Sequence, residues 1–119
     1  MKTAININTQ VWKNIILCLI KDNWVVIEKY MAFDAGIDFD FLILKKGNDR
    51  IVFGWDNYEQ GEIKCKDEIF EYLSGEFNIN LVFGRPKNLT WKIILITRAL
   101  TIPQRYLSNP SKNFHDFFD

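Results

Sequence analysis

Histidine is nearly absent from this chain, and net charge is absent altogether: the 119 residues hold one histidine, two cysteines and three prolines, with 15 Lys and Arg against 15 Asp and Glu. A lone His115 cannot supply the paired-histidine spacing of a metal site, and a Ser-His-Asp or Cys-His nucleophile would depend on a terminal tail. Cys18 and Cys65 lack C-x-x-C spacing and are expected as reduced thiols, Cys18 in the core and Cys65 pointing inward from a strand between two lysines. No glycine-rich phosphate loop is present, and Gly84-Arg85-Pro86-Lys87 reads as a turn. The longest apolar run, residues 15–20, falls well short of the roughly 20 residues that cross a bilayer as a helix. The first ten residues lack the apolar run and small-residue cleavage site of a signal peptide, so an unprocessed cytoplasmic chain is expected. A zero net charge argues against a strongly basic nucleic-acid binder or a polybasic membrane-surface protein.

What the chain does contain is core material, with 48% hydrophobic and 15% aromatic residues. The length suits a single domain over residues 1–119, its tail at 109–119 expected to be mobile. Asn8 or Thr9 can cap a helix whose apolar positions Val11, Trp12, Ile15, Ile16, Leu19 and Ile20 recur at helical spacing to about Asp22-Asn23. Residues 24–31 read as a strand, ended by Asp34-Ala35-Gly36. Two further strands, residues 38–46 and 51–55, flank Gly47-Asn48-Asp49-Arg50, a hairpin turn. With Asn48-Asp49 as the two-residue loop, Leu44 faces Phe53, Leu42 faces Trp55 and Asp40 faces Asn57.

After a loop at Gln60-Gly61, residues 62–65 form a short strand with Ile63 and Cys65 inward. A second helix is expected from Asp67 as cap through Ile69, Phe70 and Leu73, with Gly75 as its left-handed terminator. Residues 79–84 follow as a strand, and residues 90–98 as a strand on their β-branched content, although a helix is open. Pro103 fits a one-turn helix. The expected class is α+β: a mainly antiparallel sheet, a long N-terminal helix and a shorter second helix.

The charges are partitioned along the chain. Residues 34–76 carry eleven acidic and five basic groups, and residues 77–115 carry six basic groups and no acidic one. The hairpin register gathers Asp38, Asp40, Asp56 and Glu59 at the end away from the turn, beside Tyr58 and Glu62. These carboxylates suit a polar, steering rim around an aromatic anchor on a protein-binding patch. Trp55 could serve as a second anchor or lie in the core. The same stretch offers Glu62-Ile63-Lys64, an E-x-K pattern which, with Asp38 or Asp40, would satisfy a metal-dependent nuclease of the PD-(D/E)xK type. In that alternative Glu62 and Asp40 hold the metal and Lys64 assists hydrolysis.

Size, α+β pattern and the strand-loop-strand from Phe39 to Cys65, with Phe53-Gly54-Trp55-Asp56, Tyr58 and Gly61-Glu62-Ile63, together resemble the immunity proteins of contact-dependent growth inhibition systems. The resemblance implies a non-enzymatic inhibitor, without cofactor or metal, that binds the C-terminal domain of a cognate toxin, often a nuclease, and blocks its active site or substrate access. The partner-binding residues read from this chain are Asp38, Asp40, Asp56, Tyr58, Glu59 and Glu62. The partner expected is a basic toxin domain, with no direct nucleic-acid or membrane contact and a monomeric inhibitor.

Overall fold

A computed structural model describes residues 1–30, 36–90, 93–94 and 101–103 of the chain. The elements run β1 (Lys2–Ile7), α1 (Thr9–Lys21), β2 (Val25–Tyr30), β3 (Phe39–Lys46), β4 (Asp49–Asp56), β5 (Gln60–Cys65), α2 (Asp67–Phe77), β6 (Val82–Phe83) and β7 (Thr101–Pro103). Their strands form one sheet in the order β6-β1-β5-β4-β3-β2-β7, and every pairing is antiparallel. The fold is therefore α+β. No helix among the described residues is long and apolar enough to cross a membrane.

Helix α1 begins where the Asn8 side chain accepts hydrogen bonds from the N–H groups of Gln10, at 2.9 Å, and Val11, at 3.3 Å. Such a cap satisfies amides that have no partner within the helix. Trp12, Ile15, Ile16 and Leu19 form its buried stripe, and they pack with Ile69, Phe70 and Leu73 of α2 onto Leu42, Leu44, Ile51, Phe53, Ile63 and Cys65 of the sheet. The far face of the sheet carries a smaller cluster, Tyr30, Phe41, Ile43 and Leu89. Alternate residues of β3, β4 and β5 thus divide between two buried faces, as the two-residue period of a strand requires.

Several expectations are corrected. Strand β1 lies inside the sheet between β5 and β6, although its mixed polar sequence carries little strand signal; pairing with β5 makes it a strand. The two-residue hairpin loop is Gly47-Asn48, with Lys46 opposite Asp49. Gly47 takes φ +62° at the first loop position, the place a type II′ turn reserves for glycine. Leu44 therefore faces Ile51, Leu42 faces Phe53 and Asp40 faces Trp55. The loop after β4 is residues 57–59, and Gln60-Gly61 already belongs to β5. Helix α2 continues through Gly75 to Phe77, is preceded by Lys66 with no side-chain cap, and ends at Asn78 in the left-handed conformation.

Cys18 is exposed, whereas Cys65 is buried, and both are free thiols. Burial pushes the Cys65 thiol up to about 12, which leaves it unreactive in the fold. The backbone at Ile93-Ile94 is helical, with the Ile94 N–H donating to the Thr90 carbonyl at 2.9 Å; the remainder of the strand expected at 90–98 lies largely outside the described residues. Pro103 ends a short strand rather than a helix, on the outer strand of the sheet where a missing N–H is tolerated. The expected mobile tail at 109–119 also lies outside the described residues.

One close approach locks α1 onto the sheet. A Cβ added at Gly61 would sit 2.5 Å from Trp12 Cδ1 and 2.9 Å from Trp12 Cβ, and the Trp12 indole N–H donates to the Glu62 carbonyl at 3.2 Å. Gly61→Ala is expected to lower the unfolding free energy by about 1–3 kcal/mol through overpacking. Urea denaturation tests this, and an unchanged midpoint would show that Trp12 is free to retreat.

Candidate functional site

The end of the sheet remote from the Gly47-Asn48 turn is built from two loops. In the first, Asp56 folds the 57–59 loop over its own carboxylate, which accepts hydrogen bonds from the N–H groups of Tyr58, at 2.8 Å, and Glu59. This is an Asx-type arrangement in which the side chain stands in for a backbone acceptor. Gln60 then takes φ +62° to re-enter the sheet. The second loop leads into β3, with Gly36 at φ +75° donating its N–H to the Phe39 carbonyl at 2.9 Å.

Asn57 clips the two loops together. Its backbone N–H donates to the Asp38 carbonyl at 3.3 Å, and its side-chain amide donates to the Ile37 carbonyl and to the Asp38 carboxylate. The clip leaves two apolar side chains in water, Ile37 at 63% exposure and Tyr58 at 92%. Asp38 is exposed beside them, and Asp56 and Glu59 are half-buried. Trp55 is not an anchor: it is buried, with its indole N–H donating to the Thr9 hydroxyl at 2.9 Å.

Of the six residues expected to meet a partner, Asp38, Asp56, Tyr58 and Glu59 are gathered at this end. Asp40 and Glu62 are enclosed, at 1% and 0% exposure, and so fall outside any docking surface. Asp40 shares the helix-facing side of β3 with Leu42 and Leu44, where its carboxylate pairs with Lys29 of β2 and accepts the Phe41 N–H at 2.9 Å. Its second oxygen, Oδ2, is buried without a hydrogen-bond partner. Burial raises the Asp40 carboxyl above its ordinary range against the pull of Lys29, and burial likewise lowers the Lys29 ammonium against the pull of Asp40.

Glu62 points to the other face of the sheet. Its Oε2 accepts the Lys87 N–H at 2.8 Å, and its Oε1 accepts the N–H groups of Asn88 and Leu89, each at 3.0 Å. The carboxylate pins the segment that carries Leu89 across the far face, against Gly54. Because the Asp40 and Glu62 carboxylates lie on opposite sides of the sheet, they do not form the joint metal site that the E-x-K reading needs. Among the described residues no group of three or more His, Cys, Asp and Glu side chains is placed to hold a metal ion.

Two participants were missed from sequence. Ile37 stands alone between Gly36 and Asp38, where nothing local marks it as an anchor, and Asn57 acquires its role only when residues about twenty positions apart meet. The chain matches no protein-family model, no curated protein and no solved structure.

Proposed function

We propose that the chain is a cytoplasmic immunity protein, a non-enzymatic inhibitor that docks its two-loop end on a basic toxin domain and covers the active site or a substrate surface. The observation that carries this reading is the pair of exposed apolar side chains, Ile37 and Tyr58, rimmed by Asp38, Asp56 and Glu59 on loops held together by Asn57. A tyrosine at this exposure is the kind of side chain that becomes a binding hot spot once a partner pocket excludes water from it. The carboxylates around it would steer a cationic partner and hold the encounter in register. The inhibitor acts as a monomer and needs no cofactor.

The test is co-expression with the C-terminal domain of the effector encoded upstream of this gene. Wild type is expected to restore growth, and the double variant Ile37→Asp, Tyr58→Ala is expected to fail while remaining folded, since neither side chain is buried. Growth arrest that persists with wild type, or an upstream gene encoding no effector, would overturn the proposal.

A further inference from the structure

The face of the sheet turned away from the helices presents a row of cations. Lys45 shares that face with Phe41 and Ile43, Arg50 with Val52, and Lys64 with Glu62. Lys45 stands directly opposite Arg50 across the β3-β4 pair, and Lys64, opposite Val52, is diagonal to Arg50 on the next strand. Adjacent strands are about 4.8 Å apart, and like charges opposed on one sheet face are destabilising.

The ion pairs formed among the described residues engage Lys2, Lys29, Lys46 and Lys66 and none of these three. Glu28, opposite Ile43, is the half-buried carboxylate on the same face; the Glu62 charge is taken up beneath it by three backbone N–H groups. Glu62 also adds to the row. By holding Lys87, and with the Gly84 N–H donating to the Thr3 carbonyl at 3.2 Å opposite Lys64, it runs the exposed Arg85 and Lys87 along the same side.

We propose that this face binds the phosphodiester backbone of a nucleic acid through Lys45, Arg50, Lys64, Arg85 and Lys87. Charge complementarity selects an anionic occupant. The exposed aromatic side chains lie elsewhere, Tyr58 at the two-loop end, Tyr72 on α2 and Phe83 against Phe70. The face therefore offers charge without the aromatic anchors of a protein hot spot or the platforms on which bases stack. Binding is accordingly phosphate-driven, independent of sequence and strongly salt-dependent. The zero net charge of the whole chain conceals this local surface, which shares no residue with the proposed docking end.

Fluorescence anisotropy with a labelled 20-nucleotide single-stranded DNA tests it. Wild type is expected to bind at low salt, with a log-log salt slope of roughly −2 to −3.5 for three to five phosphate contacts. Arg50→Glu with Lys64→Glu is expected to weaken binding at least about tenfold. The first change sets an acid opposite Lys45, a pairing that favours the fold. Arg50→Gln with Lys64→Gln serves as the neutral check and is expected to weaken binding less. Tyr58→Ala is expected to bind as wild type does. No binding at low salt, equal binding by the double Glu variant, or displacement by polyglutamate as effective as by unlabelled DNA would overturn the assignment, the last by pointing to an acidic protein instead.

Discussion

Replacing Lys29 by Met is expected to lower the unfolding free energy by about 3–5 kcal/mol, whereas replacing Lys29 by Met and Asp40 by Leu together is expected to be neutral or to raise it by about 1–4 kcal/mol. Both charges lie inside the sandwich of α1 and the sheet, at 0% and 1% exposure. Removing Lys29 alone leaves a desolvated carboxylate with one oxygen already lacking a partner. Removing both charges takes away the desolvation cost along with the attraction. The raised Asp40 carboxyl means that stability falls as pH rises from its unfolded value through its folded one. The lowered Lys29 ammonium means that stability is fully present above the unfolded lysine value and is lost as pH falls through the folded one. Charging the buried pair near neutrality thus opposes folding, and the apolar double variant is expected to flatten both windows. Urea denaturation at several pH values tests this; equal losses from the single and double variants would show that the pair stabilises the fold.

Glu62→Ala is expected to cost at least about 3 kcal/mol, because three amide donors lose one acceptor group at once and each buried orphan costs about 1–3 kcal/mol. Glu62→Gln is expected to cost about 1–3 kcal/mol, since one oxygen is retained but an NH₂ group faces an N–H donor. The loss should concentrate where the carboxylate acts, with faster hydrogen exchange at the amides of Lys87, Asn88 and Leu89, followed by release of Leu89 from its seat against Gly54. Protected amides and an unchanged denaturation midpoint in the alanine variant would contradict the structural role given to Glu62.

Much of the fold was legible because local signals and burial agree. The stripe Trp12, Ile15, Ile16, Leu19, the alternation through Leu42, Leu44, Ile51 and Phe53, and the inward pair Ile63 and Cys65 all lie in the main core. The hairpin register missed by two residues because Gly47, rather than Asn48, leads the turn. An even slip preserves which side chains share a face. That parity already placed Asp40 beside Leu42 and Leu44, facing the helices, so its burial could be read from the strand.

Glu62 is different. Its parity set it opposite Ile63 and Cys65, on a face that reads as solvent until residues 84–90 fold over it. Strand β1 and the Asn57 clip were equally hidden, since each depends on contacts between segments far apart in the chain. Asp38, Asp56, Tyr58 and Glu59 were found together because a hairpin end collects whatever follows its strands.

The proposal that the two-loop end is the inhibitory surface is tested most directly by the binding kinetics of the purified chain with the toxin domain encoded upstream. Two variants probe it without disturbing the Asp56 turn or the Asn57 clip. Tyr58→Ala is expected to raise the dissociation rate at least about tenfold, as loss of a hot-spot anchor does. Glu59→Lys is expected to slow association and flatten its salt dependence while changing dissociation little. Wild-type rates from both variants, alongside full protection of cells, would place the inhibitory surface elsewhere on the molecule.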